Sequence, residues 1–401
     1  MNAHSEKIAL VTPWFGSGKG GAEVYCGGLA VALKAIGMDV EILTTCCRNA
    51  FLDWAANHLP EGVSEFGNVP VRRFPVRPRK ADLFVHYYRI IDSGGGVSAD
   101  QEVELLANSI NSDSLYDFIT ANREKYLFFF LPYLYGTTYF GIRAAGRNRA
   151  FIIPCLHNES FAYLGAMQHM FQRVRGCLFL SQPERDFASA LYDLTRTGQL
   201  LLGGGVSREA RGNPDRFRHE RRFSGPFALF VGRKVPGKGA DILLSHFADY
   251  IEMHPEEELR LVMIGAGELE IPQKLRGRVV SMTAETAREV HDAMAACEFL
   301  IHPSLYESFS IVMLEAWLNR KPVLVNGECE VTLHHILRSN GGLYFTSFPE
   351  FAETVWLLRE NELLCEQMGK AGERYTLDNY NWYDTAMKFH DFVQRVKGRD
   401  Q

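Results

Sequence analysis

No apolar run in the chain is long enough to cross a bilayer. The nearest approach is YLFFFLPYLYGTTYFGI, Tyr126 to Ile142. It falls short of the roughly 20 residues a spanning helix needs and carries Pro132, Gly136 and two threonines. It reads as a buried strand at Tyr126–Phe130, then a loop, then a helix. The N-terminal MNAHSEKIALVTPW has too short an apolar run for a secretory signal, and Pro13 interrupts it. Basic excess is also missing. A net charge of −5 argues against a general nucleic-acid binder. The eight cysteines have no metal-ligand spacing, and most sit among apolar neighbours, where free cysteine acts as a small hydrophobe. A reducing cytoplasm is the expected compartment.

A further absence concerns the glycine loop in IALVTPWFGSGKGGAEVY, Ile8 to Tyr25. An ATP-binding P-loop needs a glycine six residues before its lysine and a Ser or Thr after it to hold magnesium. Around Lys19 those places hold Pro13 and Gly20, which argues against a nucleotide triphosphatase. What remains is a strand feeding a flexible loop with outward backbone N–H groups at a helix start. Such a loop can approach an anion closely.

What is present describes an ordinary soluble globular chain, with 46% apolar and 23% charged residues. At 401 residues it suits two domains of roughly 200 each. Strand-like runs alternate with helical ones in both halves. In the first, Ile8–Thr12 leads to a helix near Ala22–Ala35, then to Asp39–Thr44, Tyr126–Phe130, Phe151–Leu156 and Cys177–Ser181. The second repeats the rhythm at Phe227–Val231, Leu259–Ile264, Arg278–Met282, Phe299–His302 and Pro322–Val325. Near-continuous apolar strands separated by helices predict parallel sheets buried on both faces. The expected fold class is α/β, with two doubly wound Rossmann-like domains. The break is placed around Leu202–Pro226, rich in Gly, Arg and Pro. The expected domains are 1–205, joined by a C-terminal helix at about 382–401, and 206–381. Ligands in such sheets sit beyond the carboxyl ends of the strands, which places the glycine loops across an interdomain cleft.

Two segments carry the chemistry. In HPSLYESFSIVMLEAWLNRKPVLV, His302 to Val325, Ser308 and Ser310 are good caps, so a helix is expected from there to Asn319. That helix is apolar nearly all round, yet Glu315 lies in its middle and Glu307 just before it. Each carboxylate needs a partner. Nearby arginines or backbone amides would serve, and so would ligand hydroxyls, with the helix amides facing a phosphate. In FALFVGRKVPGKGADILL, Phe227 to Leu244, a strand ends at Gly232, and Arg233 and Lys238 bracket a Pro/Gly loop. Two close cations suit a diphosphate, although solvated surface cations would read the same.

The Gly-Arg pair with Lys-Gly five residues on, then Glu-x(7)-Glu before Pro-Val-Leu-Val, resembles glycosyltransferase family four. So do Gly20–Glu23, Leu156-His157-Asn158, Ser181–Glu184, Gly265-Ala266-Gly267-Glu268 and Asn381-Trp382-Tyr383. The resemblance is to bacterial polysaccharide and lipopolysaccharide enzymes of that family. It implies the GT-B fold and a retaining hexosyltransferase using a UDP- or GDP-sugar, with a glycan or lipid-linked acceptor. It also assigns roles. Arg233 and Lys238 would hold the donor diphosphate and stabilise leaving-group charge. Glu307 would bind donor-sugar hydroxyls, with the backbone at Ser308, Phe309 and Ser310 beside it. Glu315 would hold the ribose. His157 would face the sugar and the attacking oxygen. Gly20 and Gly21, with Gly232, Gly265 and Gly267, would line the donor; Lys19 need not touch it. No metal or other cofactor is implied, and no Asp-x-Asp stands in a suitable loop.

The chain departs from the family pattern at Ser281-Met282-Thr283, where relatives often have a glycine after the strand. It departs again at Gly203-Gly204-Gly205-Val206, which suggests a flexible hinge. A non-catalytic nucleotide-sugar-binding partner and a sugar-nucleotide epimerase stay open beside the transferase. The basic stretch VRRFPVRPRK, Val71 to Lys80, reads either as an edge strand with solvated arginines or as a patch for anionic lipid. With the aromatic loop Pro132–Tyr135, the second reading brings the protein to the inner face of the plasma membrane. Donor base, sugar, acceptor and oligomeric state are not fixed by the sequence.

Overall fold

The computed structural model describes residues 6–16 and 20–398. Ser17, Gly18 and Lys19 lie outside the described residues, and the reading of Lys19 with them. The chain divides into two compact units, one running to Gly205 and resuming at Trp382, the other Val206–Asn381.

The first unit is built on β1 (Lys7–Thr12), β2 (Val40–Thr45), β3 (Gly62–Phe66), β4 (Val69–Phe74), β5 (Tyr126–Phe130), β6 (Ala150–Ile152), β7 (Gly176–Phe179) and β8 (Gly198–Leu201). Among the described residues these form an eight-stranded sheet ordered β3-β4-β2-β1-β5-β6-β7-β8, parallel except for β3 against β4. The second unit has β9 (Phe227–Val231), β10 (Arg260–Ile264), β11 (Val279–Met282), β12 (Phe299–His302), β13 (Val323–Asn326) and β14 (Gly342–Phe345), ordered β11-β10-β9-β12-β13-β14 and parallel throughout. Both faces of the inner strands are covered, which is why those strands read as continuous apolar runs, whereas β3 and β8 at the edges of the first sheet stay open. All five residues of β5 are buried. In each sheet the chain winds outward from one strand and then returns to its other side. The reversals fall between β1 and β5 and between β9 and β12, and such points leave a crevice at the carboxyl ends of the strands.

Several strands end earlier than their apolar runs. The run Phe151–Leu156 pairs only over Ala150–Ile152. Pro154 has no N–H to donate, and Cys155 turns to φ +53°, off the extended path. The break around Leu202–Pro226 is also narrower than expected. Helix Pro214–Glu220 forms within it, capped by the Asn213 side chain, and Phe217 packs against Phe223 and Phe227.

The basic stretch is neither an edge strand nor an open patch. β4 lies between β2 and β3, and its arginines are engaged. Arg72 bonds the buried carboxylate of Glu41 at 2.8 Å, and Arg73 bonds the Phe15 carbonyl. Arg77 pairs with Asp113, and Arg79 lies over the ring of Trp54. The aromatic loop turns inward too: Tyr133 is buried, and Tyr135 meets Trp14 edge-on at 4.9 Å. No helix among the described residues is long and apolar enough to cross a membrane.

Helix Trp382–Gly398 packs on the first unit's sheet. Phe389 lies 4.5 Å from Phe129 between ring centroids, and Phe392 lies 6.1 Å from Phe151. Trp382 fills the space that two glycines leave open. A Cβ on Gly28 would come within 2.2 Å of the indole, and one on Gly205 within 2.5 Å of the Trp382 backbone nitrogen. The Tyr25 hydroxyl donates to the Gly203 carbonyl at 2.7 Å, so the triple glycine is more firmly held than its composition suggests. Alanine is the better helix former, but Gly28→Ala is expected to lower unfolding free energy by about 1–3 kcal/mol through overpacking. A denaturant titration that leaves stability unchanged would show the indole is not seated there.

Candidate functional site

In the second unit, the loops after β9, β10 and β12 lie side by side. Gly232 N–H donates to Ile264 O at 3.0 Å, Lys234 N–H to Ala266 O at 2.8 Å, and Gly265 N–H to Met282 O at 3.1 Å. Gly265 has φ +148°, and a Cβ there would stand 1.9 Å from the Gly232 carbonyl oxygen. Only glycine allows these backbones so close. Gly267 sits against the Lys234 backbone in the same way. Of the three glycines expected to line a ligand, Gly265 and Gly267 are thus also packing residues that let the loops meet. Arg233 is exposed on the β9 loop, while its neighbour Lys234 turns inward with Nζ on the Met282 carbonyl at 3.1 Å. Burial pulls the Lys234 ammonium below the usual lysine range.

Lys238 and Glu307 are brought together. Lys238 ends a short 3-10 turn, Pro236–Lys238, before helix Ala240–Met253, and its Nζ lies 2.5 Å from Glu307 Oε1. Gly239 between turn and helix has φ +66°, with the Pro303 carbonyl 2.3 Å from where a Cβ would be. His302 Nε2 lies 3.2 Å from the same Glu307 oxygen. Burial would raise the Glu307 carboxyl, but the Lys238 charge, with hydrogen bonding and charge from His302, holds it well below the usual range. Glu307 is therefore a charged acceptor at neutral pH.

The helix after Glu307 spans Ile311–Leu318, shorter at its start than expected. Ser310 occupies the cap position, but its φ of +60° is left-handed and its hydroxyl does not cap; it lies 3.0 Å from His302 Nε2 instead. Phe309 offers no side chain to a ligand. Its ring is buried against His335 and Tyr380, and its carbonyl receives His335 Nε2 at 3.1 Å. Ser308 is half-buried beside it. Glu315 is half-exposed with the helix's open face, and its partner is His291 at 3.5 Å, not an arginine.

In the first unit, Gly20 and Gly21 start helix Gly21–Ala35 just beyond β1. The buried carboxylate of Glu23 accepts the Gly16 N–H at 2.5 Å and steadies the described part of the loop. A Cβ on Gly21 would meet nothing within 4 Å. His157 follows β6, half-buried, with Nδ1 3.4 Å from Glu159 Oε1; Glu159 also accepts the Tyr133 hydroxyl at 2.5 Å. Glu184 ties that loop to the sheet. It is buried and accepts Leu156 N–H at 2.7 Å and Leu180 N–H at 2.5 Å. Burial raises its carboxyl to about 8, although those amides pull the other way.

Residues 225–361 match the family model for glycosyl transferases group 1. The chain is 30% identical over 173 residues to an uncharacterised glycosyltransferase of Methanocaldococcus jannaschii, covering 40% of this chain and 46% of the relative. It is 25% identical over 171 residues to a D-inositol 3-phosphate glycosyltransferase of Corynebacterium diphtheriae, covering 40% of each. The chain thus spans less than half the length of these curated relatives. Among solved structures, sucrose-phosphate synthase from Thermosynechococcus elongatus superposes with TM-score 0.73 at 14% identity, covering 98% of this chain and 100% of that one. Anabaena HepE in complex with UDP does so with TM-score 0.69 at 14% identity, covering 97% and 100%.

The fold is GT-B.

Within that GT-B frame, sequence reasoning missed His302, Lys234 and Glu184 as parts of the two loop systems. Signals existed for two of them. His302 directly precedes the Pro-Ser of the Glu307 segment, and Glu184 stands three residues after Ser181 in capping-box spacing. Its carboxyl also reaches beyond its own cap, to the amides of Leu180 and Leu156. Nothing in sequence separates the inward Lys234 from the exposed Arg233.

The lowered Glu307 carboxyl sets a sign for acid unfolding. A group with a depressed folded pKa stabilises above its unfolded value and loses that contribution as pH falls below it. Wild-type thermal midpoints should therefore drop more steeply below about pH 4.5 than those of Glu307→Gln. Parallel curves for the two proteins would rule out the Lys238–Glu307 ion pair.

Proposed function

We propose that this protein is a retaining hexosyltransferase. It moves a sugar from a UDP- or GDP-sugar to a hydroxyl of a glycan or lipid-linked glycan, in surface polysaccharide or lipopolysaccharide assembly. One observation carries this reading: the Lys238–Glu307 pair stands at the β9/β12 switch point, inside the segment that matches glycosyl transferases group 1. A cation and a charged acceptor beyond a strand suit the two ends of a sugar diphosphate, its phosphates and its hydroxyls.

In this reading Arg233 and Lys238 hold the diphosphate. An ammonium has three donors, so Lys238 can keep Glu307 and still take a phosphate oxygen. Glu307 accepts hydrogen bonds from sugar hydroxyls, and Glu315, backed by His291, from the ribose. The backbone of Ser308–Ser310 and the first turn of helix Ile311–Leu318 offer amides. Gly232, Gly265 and Gly267 let the nucleotide lie against the loops. Gly20 and Gly21 leave room for the donor, and His157, braced by Glu159, faces the sugar and the acceptor.

The acceptor oxygen forms its bond to the anomeric carbon on the face the diphosphate leaves. The carbon–oxygen bond to phosphate breaks with its electron pair going to the diphosphate, which takes the acceptor proton. The cations lower the barrier by stabilising charge that grows as that bond breaks. No metal or other cofactor is part of this scheme. UDP is the favoured base, since solved structures of Anabaena HepE are in complex with UDP and with UDP-glucose. Eight free thiols support a cytoplasmic setting. With the arginines of Val71–Lys80 engaged, membrane contact is left to the acceptor itself.

Release of UDP or GDP from a panel of sugar nucleotides tests the reading, and a UDP-sugar is the expected substrate. Lys238→Ala and Glu307→Ala should each reduce turnover by roughly 100-fold or more while the fold persists by circular dichroism. Gly21→Val should reduce turnover without lowering the thermal midpoint, since its side chain would enter open space. Near-normal turnover in the Lys238 or Glu307 variant would overturn the assignment.

A further inference from the structure

Glu307 and Ser310 meet at a single ring nitrogen. His302 closes β12 at the switch point and is only 5% exposed. Its Nε2 lies 3.2 Å from Glu307 Oε1 and 3.0 Å from Ser310 Oγ. An ionised carboxylate only accepts, so the nitrogen facing it must carry a hydrogen. That places a hydrogen on Nε2, shared between the carboxylate and the hydroxyl. The other nitrogen, Nδ1, is buried and has no hydrogen-bond partner among the described residues.

Ser310 supplies an independent observation. A non-glycine residue at φ +60° is strained, and such strain persists only where surrounding contacts fix it. Its hydroxyl gives up the capping bond and turns toward His302. Lys238 could not fix this geometry alone, because an ammonium on a four-carbon stem is a point charge without direction. An imidazole at a strand end is rigid and directional.

Resting on the reading that Glu307 binds the donor sugar, we propose that His302 is a positioning residue for that carboxylate, its Nε2–H holding Glu307 and the Ser310 turn in register. Lys238 and His302 both bond Oε1, so Oε2 is the oxygen presented to the sugar. The same N–H keeps the left-handed turn at Ser310, and with it the direction of the helix amides.

The contact is tested first without any reaction. In protein labelled with 15N-histidine, the His302 ring should show the Nε2–H tautomer. Glu307→Gln and Ser310→Ala should each shift its Nε2 resonance. The Nδ1–H tautomer, or shifts indifferent to both substitutions, overturns the proposal. Kinetics then test positioning. His302→Leu should raise KM for the sugar nucleotide and lower kcat, together costing roughly 10- to 100-fold in kcat/KM. His302→Gln, whose amide nitrogen can stand where Nε2 does, should recover most of that loss. Wild-type kinetics in the leucine variant, or a glutamine variant no better than leucine, also overturns it. If wild type turns over no UDP- or GDP-sugar, the transferase reading falls instead, and the tautomer measurement alone decides the His302 contact.

Discussion

A carboxylate taken out of water must be met by charge or hydrogen bonds, and Glu307 meets that demand with Lys238 and His302 on one oxygen. The rest of the second unit's site is arranged around this bond set. Lys238 can reach Glu307 only because Gly239 adopts a left-handed turn against the Pro303 carbonyl, which brings the β9 loop onto the β12 loop. His302 can reach it only because β12 ends where the chain turns back toward the helix. Removing either partner would leave a charge buried and poorly matched, a far costlier state than a missing surface salt bridge.

The same logic of close backbone approach recurs in the first unit, carried by glycine and an acidic side chain. Glu23 holds the Gly16 amide, and Glu184 holds the amides of Leu156 and Leu180. Each of these carboxylates fixes a loop beyond a strand end. The open space at Gly21 and the half-buried ring of His157 are what such fixed loops expose. In both units most of the candidate side chains stand on loops or element ends, and the buried parallel strands beneath supply the rigidity.

Much of the architecture was legible because its signals are local. Apolar runs such as Phe227–Val231 and Tyr126–Phe130 announce strands by composition, and both formed over those residues. Where a local rule failed, a contact from outside the local element had overridden it. Ser310 has the chemistry of a helix cap, yet His302 claimed its hydroxyl. The arginines of Val71–Lys80 looked like a surface patch until Glu41, Asp113, Trp54 and the Phe15 carbonyl engaged them. Phe309 stood in a binding motif, but the second unit's core took its ring.

The sequence by itself determined the alternation of strands and helices, the doubly wound α/β class and the residue types at each loop, because those follow from side-chain chemistry and spacing along the chain. Only the tertiary structure decided which oxygen of Glu307 is occupied, that His302 and Lys238 occupy it, and that Lys234 turns inward while Arg233 stays exposed. Those outcomes depend on directions of side chains from separate strands that meet across a sheet. Neighbours along a chain carry no record of that meeting.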